Sequence, residues 1–374
     1  MTDLTQAPLL VTGASGTLGR VVVAELLATT SAPLVLPLRA HHDPADVARA
    51  ITDERTGLTP GNVRARCTFV PLGDDVLGLL QVCREAGVRG ILHVAGCVAY
   101  FDRPALAAGN EGLTAGFLAL GQALGVDGFV FVSTAFSSGY RDGLVPEALH
   151  AKPESDPTAY TASKRAAEHL VASSGLPFTL ARPSVVIGDS VTGRYSGRPY
   201  GIYQLWRGFE RLLADRWQPT FHAIASDRPL QLVHQDDVAT GLVASLRHFR
   251  PGAVVHLVSD PHRLPTARQA WELWLDEVVQ PETRVFHGSL QEADRSRLGS
   301  RQRLFLDFTT TNLEIAEHPW TFETSGLEAL RALGHRDRPV TLDTLRTCQR
   351  AFVATSPRLL AYLDHAGTAG RRAS

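Results

Sequence analysis

The pattern of apolar and polar positions switches between two periods through the first 180 residues. Leu9-Leu10-Val11 is a continuous apolar run of the kind a strand shows when both its faces are buried. Arg20–Ala28 follows with Val21, Val22, Leu26 and Leu27 at helical spacing. The alternation continues with strands expected at Leu34–Leu38, Cys67–Pro71, Gly90–Val94, Gly128–Val132 and Phe178–Arg182. Helices are expected over Ala45–Asp53, Val76–Ala86, Ala105–Leu124 and Pro157–Ser173. Strands that alternate with helices in this way predict an α/β fold built on a doubly wound parallel sheet.

Beyond Arg182 the regularity breaks. Gly188–Gly201 mixes glycine, tyrosine and arginine and reads as an irregular loop. Leu232–Val238 and Val254–Val258 are expected to return to the sheet, and the chain from about Pro261 reads as helical. The expected organisation is a first domain over 1–189, completed by 232–260, and a smaller, mainly helical C-terminal lobe over 190–231 and 261–366. Residues 367–374 have the small, polar composition of a frayed tail.

The first strand runs directly into Thr12-Gly13-Ala14-Ser15-Gly16-Thr17-Leu18-Gly19 and then into a helix. Such a turn aims backbone N–H groups and the positive end of a helix at an anion, here a dinucleotide pyrophosphate. Gly13 would allow the turn, Gly16 close approach of the phosphates, and Gly19 tight contact between helix and strand. The three glycines are evenly spaced, which departs from Gly-x-Gly-x-x-Gly. The second strand ends at Arg39, where a carboxylate would grip a ribose diol and an arginine can instead pair with a 2′-phosphate. That choice points to NADPH; the competing reading is a strand end capped in solvent, with His41 and His42 as loop residues.

Tyr160 and Lys164 lie four apart in Tyr160-Thr161-Ala162-Ser163-Lys164, so on a helix they share a face. A phenol is a poor acid or base at neutral pH, but an adjacent cation stabilises its phenolate and makes it usable. Two such residues alone more often form a solvated face; the glycine turn upstream is what changes the reading.

Composition narrows the class. The chain has 374 residues, 44% of them apolar, enough for one principal domain and a smaller lobe. A net charge of −1 without a basic run argues against nucleic acid. Met1–Gln6 lacks a basic segment followed by an apolar core, and no stretch reaches the ~18–20 apolar residues of a membrane span. A cytoplasmic protein without signal peptide or transmembrane segment is expected. Cys67, Cys83, Cys97 and Cys348 fall at no metal-ligand spacing and fit a reducing compartment. His93, His169 and His234 have no second ligand four residues away and read as structural, and Asp236 and Asp237 as turn residues. No metal site is expected.

Taken together, the motifs resemble those of the extended short-chain dehydrogenase/reductase superfamily over about the first 260 residues. The resemblance implies a Rossmann-like fold and assigns Thr12, Gly13, Ser15, Gly16, Thr17, Leu18 and Gly19 to the cofactor turn. It implies that Thr134, in Val132-Ser133-Thr134-Ala135, supplies a catalytic hydroxyl beside Tyr160 and Lys164, with Ser133 as the neighbour it could be confused with. It matches Asp74 to a position touching adenine, and Pro183, Val185 and Val186, in Ala181–Val186, to the segment beside the nicotinamide.

Within that superfamily the chain is most similar to fatty acyl-CoA reductases and to the thioester-reductase domains of carboxylic acid reductases and nonribosomal peptide synthetases. The likeness is carried by Ile91–Phe101, Asn110, Phe131–Ala135 and Arg182–Gly188. It departs at Ala95-Gly96, where those families commonly have paired alanines, and at Ala99, where they have asparagine. Ala95 and Gly96 are expected to line the cofactor, and Cys97 beside them is expected to be a small hydrophobe.

The resemblance implies reduction of an acyl thioester, carried by coenzyme A or by an acyl or peptidyl carrier protein, to an aldehyde or alcohol. The same triad would serve reduction of a free aldehyde or ketone, or oxidation of an alcohol. A nucleotide-sugar epimerase would hold NAD, and a non-enzymatic NADP-binding regulator would have no use for Thr134, Tyr160 and Lys164.

Overall fold

In the computed structural model, which describes residues 2–373, the apolar runs up to Leu257 assemble into one seven-stranded sheet. Its strands are β1 Leu9–Thr12, β2 Leu34–Arg39, β3 Cys67–Leu72, β4 Gly90–His93, β5 Gly128–Val132, β6 Phe178–Pro183 and β7 Ala253–Leu257. They run in the order β7-β6-β5-β4-β1-β2-β3, every pair parallel. The order reverses between β1 and β4, and the carboxyl ends of strands at such a reversal form the crevice where α/β sheets bind ligands. β1, β4 and β5 are buried along their whole length, which is why they read as unbroken apolar runs. The helices that matter below are α1 Thr17–Thr29, α2 Leu113–Leu124, α3 Ala159–Ser173 and α4 Gln235–Arg247.

Contacts divide the chain into two units. The first comprises Met1–Ser184, Gln235–Val258 and Thr321–Asp337, and the second Val185–His234, Ser259–Trp320 and Arg338–Ser374. Each has its own core: Ile91, Phe117, Phe129, Phe131 and Leu180 lie at the centre of one, and Trp206, Phe209, Phe221, Trp274 and Phe305 at the centre of the other.

Several elements differ from the sequence pattern. The expected helix over Ala105–Leu124 is three pieces: a turn at Arg103–Leu106, a widened π turn at Ala107–Gly112, and α2. Gly109 lies so close to the Cys97 side chain that an added Cβ would be 2.8 Å from Cys97 Cβ, and the wide turn carries Asn110 inward. The stretch Val76–Ala86 opens as a 3₁₀ turn, Val76–Leu79, before helix Leu80–Glu85. An unexpected helix, Pro60–Arg66, starts from a Thr59 capping box; only Val63 is buried in it, so periodicity could not reveal it.

Leu232–Val238 does not rejoin the main sheet. Leu232–His234 pairs instead with Val185–Ile187, and Gln235 opens α4. The chain changes partner in a single step, since Ser184 N–H bonds to Leu257 C=O and Val185 N–H to Gln231 C=O. The segment after Pro261 is not purely helical: Thr283–His287 pairs in parallel with Thr220–Ile224. Thr321–Phe322 pairs with Leu144–Val145 of the first unit, where the buried-side carboxylate of Glu147 accepts from His256 N–H, Gly326 N–H and Ser325. The last helix, Pro357–Ala373, continues through most of the stretch expected to fray, and Ser374 lies outside the described residues. Among the described residues no helix is long and apolar enough to cross a membrane.

Candidate cofactor and active site

At the end of β1 the backbone of Gly13 takes φ +76°, and an added Cβ there would lie 2.8 Å from Ala95 N and 2.9 Å from Ala95 Cα. Both the left-handed conformation and the close passage require glycine. Gly19, in the first turn of α1, is closer still: its added Cβ would lie 1.9 Å from the Gly13 carbonyl oxygen. Gly16 N–H closes the turn onto Gly13 C=O at 2.8 Å, and Gly16 caps α1 without any side-chain bond or acidic residue in the first turn. The helix start is therefore a positive end with no carboxylate of its own, bordered by the exposed Gly16 and the half-buried Ser15, Thr17 and Leu18. These residues fit a dinucleotide pyrophosphate.

Thr12 fixes the next strand end to this turn. Its Oγ1 accepts from Val94 N–H at 3.1 Å and Ala95 N–H at 3.0 Å and lies 2.9 Å from His93 Nδ1. With both lone pairs used, Thr12 gives its own proton to Nδ1. His93 Nε2 then carries the ring proton and donates to Thr114 Oγ1 at 3.1 Å. Burial, with Lys164 nearby, pushes His93 down to about 3, so the ring is neutral and structural.

Asn110 joins this edge to α3. Its Oδ1 accepts from Cys97 N–H at 2.8 Å, and its Nδ2 donates to Cys97 C=O at 3.0 Å and to Ser163 Oγ at 2.8 Å. Ser163 in turn donates to Tyr160 C=O. Lys164, one residue further on α3, is 3% exposed, with Nζ 4.1 Å from the centre of the Phe131 ring. A Cβ added at Gly96 would lie 3.7 Å from that Nζ. Thus Gly13 abuts Ala95 and Lys164 abuts Gly96, so that the glycine turn and α3 meet on two consecutive residues at the carboxyl edge of β4. Burial pushes the Lys164 ammonium down to about 7, and Glu168 pulls weakly the other way.

Tyr160 is half-buried in the first turn of α3, which Thr158 caps through a capping box with Thr161. Thr134 follows β5 and caps the 3₁₀ turn Ala135–Ser138, its Oγ1 accepting from Phe136 N–H at 3.4 Å. Arg165 holds that turn to α3 by donating to Ser137 C=O, and is itself held by both oxygens of Asp156. The neighbouring Ser133 Oγ is buried without a hydrogen-bond partner among the described residues. Glu168 does not orient Lys164 by hydrogen bonding: its two oxygens accept from Arg182 Nε at 2.9 Å and Nη2 at 2.7 Å, with both side chains fully buried. Arg182 also contacts His150 Nε2 and donates to Ala148 C=O, so it locks α3 to β6.

The other expected site residues fall in two places. Arg39 is exposed at the end of β2, opposite Leu72 of β3 in the register, and Asp74 lies exposed two residues beyond Leu72 at the same edge. Pro183 ends β6, buried, whereas Val185 and Val186 are half-buried in the second unit's strand Val185–Ile187. Of the histidines, His169 contacts His150 C=O, and His234 contacts Gly188 C=O and Thr344 Oγ1. Asp237 sits with His335 and Asp337, but Asp337 is paired with Arg331. All four cysteines are free; burial pushes Cys67 up to about 12 and Cys83 up to about 11, which leaves them inert. Sequence reasoning did not assign the strapping role of Asn110 or the Glu168–Arg182 pair, since both depend on contacts between distant segments.

The second unit holds a small apolar pocket with a cavity volume of about 30 Å³. Its wall includes Trp206, Trp271 and Trp274, with Trp206 and Trp274 stacked at 5.6 Å, and Ser226 and Glu317 supply its polar atoms.

The NAD-binding male sterility protein family model matches residues 11–240, and the chain belongs to that family, an NAD(P)-dependent branch of the extended short-chain dehydrogenases/reductases. No curated protein matches the chain in sequence. Among solved structures it is similar to the terminal R domain of the myxalamid PKS-NRPS pathway, at 22% identity and TM-score 0.74, over 93% of this chain and 92% of that one. It is also similar to a thiolation-reductase di-domain of an archaeal non-ribosomal peptide synthetase, at 17% identity and TM-score 0.71, over 93% and 75%. An NAD-bound UDP-glucose-4-epimerase from Stenotrophomonas maltophila matches at 18% identity and TM-score 0.66, over 93% and 98%. These likenesses extend the shared fold through both units.

Proposed function

We propose that the protein is an NADPH-dependent reductase of acyl thioesters, carried by coenzyme A or a carrier protein, that yields an aldehyde or alcohol. The observation that carries this reading is the meeting of the glycine turn and the Lys164 helix on Ala95 and Gly96. It supports a bound dinucleotide and an acid/base helix at one edge. When bound, the dinucleotide supplies a hydride to the carbonyl carbon. Tyr160 and Thr134 hydrogen-bond the carbonyl oxygen and stabilise the negative charge that develops there. Lys164, as a cation, stabilises the phenolate left when Tyr160 gives up its proton and so makes the phenol a stronger acid, and Arg39 selects the phosphorylated cofactor. With a thioester, the tetrahedral carbon then expels a thiol and leaves an aldehyde.

The thioester assignment is supported by the similarity to the two reductase domains. The free cysteines support a reducing compartment, and we propose the cytoplasm. NADPH absorbance followed against acyl-CoAs, acyl carrier proteins and simple aldehydes, with product analysis, tests the reading. Oxidation with thioesters is expected; oxidation with free aldehydes alone would exclude the thioester step, and NAD retained on purification without NADPH consumption would favour an epimerase.

A further inference from the structure

The segment Thr321–Asp337 returns to the first unit, and its last residues meet the first turn of α4. Helix Ser325–Ala332 ends in a tight reversal: Gly334 takes φ +103°, its N–H bonds to Arg331 C=O at 3.0 Å, and His335 N–H bonds to Leu330 C=O at 3.0 Å. The reversal carries the His335 imidazole inward, where its side chain is only 2% exposed. Its Nε2 lies 3.6 Å from Oδ1 of Asp237, in the first turn of α4, and 3.5 Å from Oδ1 of Asp337. Among the described residues this is the one place where three metal-ligating groups converge, with the three atoms all within 4.8 Å of one another.

Distance separates a metal site from an ion pair here. A protonated imidazole closes on a carboxylate to about 2.7–2.9 Å. His335 Nε2 instead stands off almost equally from both oxygens. Bonds of about 2.0–2.2 Å to one ion set its tetrahedral ligands about 3.3–3.6 Å apart, which matches that stand-off. Two carboxylates and a neutral imidazole balance a divalent charge. The imidazole favours a zinc-like ion over magnesium or calcium, which take mainly oxygen and more ligands. Arg331 donates from Nε to Asp337 Oδ2 at 2.7 Å and so leaves Oδ1 for the ion. An outer hydrogen bond of that kind orients a ligating carboxylate. Asp337 is the exposed member, so water can complete a four-coordinate shell. No spacing in the sequence announces the group, because Asp237 and His335 belong to segments far apart in the chain.

We propose that Asp237, His335 and Asp337 bind one zinc ion, which clips the end of the returning segment to α4. The start of that segment is held by the pairing of Thr321–Phe322 with Leu144–Val145 and by Glu147 on Gly326 N–H. The ion holds the other end. Its binding energy is folding energy for the segment. The ratio of closed to open segment therefore rises about 100-fold when free zinc is about 100 times its dissociation constant. The site acts independently of the cofactor and of the substrate.

The test starts from the full chain, stripped of metal with a chelator and dialysed. Zinc affinity is measured by competition with a chromophoric chelator, cobalt substitution reads the coordination, and hydrogen exchange reads residues 321–337. The three proteins compared are wild type, Asp337→Asn and His335→Gln. Wild type is expected to bind one zinc, to show the visible absorption of four-coordinate cobalt, and to slow exchange in 321–337 when zinc is added, with no such response to magnesium or calcium. Each variant is expected to bind zinc at least about tenfold more weakly and to lose the cobalt absorption. Asp337 is exposed, so its variant carries the test if His335→Gln fails to fold, with circular dichroism as the check on folding. Zinc uptake undiminished in Asp337→Asn, no uptake by the wild-type chain, or equal protection by magnesium or calcium would overturn the site.

Discussion

Lys164 shows how one residue's surroundings set its chemistry. Enclosed by Phe131 and the Gly96 backbone, its amine loses hydration, and its pKa falls to about 7. On the proposed mechanism the cation is the useful form, because it favours the Tyr160 phenolate. The cationic fraction falls as pH rises through about 7, so kcat/KM for carbonyl reduction, which reports the free enzyme, is expected to decline above that pH by up to about tenfold per unit. A Lys164→Arg variant keeps its charge and should lose this alkaline limb, whatever its absolute rate; an identical profile in both proteins would remove Lys164 from the pH dependence. The shared helix of Tyr160 and Lys164 and the tight turn at Gly13 were legible in the sequence because each depends on spacing within one segment. The role of Glu168 was not, because it rests on the guanidinium of Arg182, fourteen residues later on another element, which claims both of its oxygens.

At the scale of elements, α3 is positioned by three attachments: Asn110 to Ser163, Arg165 to the 3₁₀ turn, and Glu168 to Arg182. The last is fully buried, so removing one partner leaves a stranded charge. Arg182→Met is expected to destabilise the first unit by about 3–5 kcal/mol, and Arg182→Met/Glu168→Leu to recover much of that loss, measured by urea unfolding. Equal destabilisation in the single and double variants would show that the ion pair itself, and not the stranded carboxylate, carries the effect. The alternating strands and helices were readable because each buries a continuous run or stripe. The π turn at Ala107–Gly112 was not, since glycine-rich helix and interrupted helix have the same periodicity and only contact with Cys97 distinguishes them. The pairing of Leu232–His234 away from the main sheet was likewise hidden, because an apolar triplet carries no record of which strand it meets.

For the whole molecule, the family match and the two cores describe a Rossmann-type unit and a second unit with its own aromatic cavity. The boundary was only partly legible: Gly188–Gly201 announced a change of structure, but the return of Thr321–Asp337 to the first unit depends on Glu147 and a two-residue strand pairing. The central claim is that this fold uses the Tyr160 phenol, beside Lys164, to complete hydride transfer to a thioester carbonyl. Single-turnover oxidation of NADPH by an acyl thioester, compared between wild type and Tyr160→Phe, with NADPH affinity measured on each, tests it most directly. The expected result is a rate about 10²–10⁴-fold lower in the variant with NADPH affinity nearly unchanged; a variant that turns over at the wild-type rate would contradict the account.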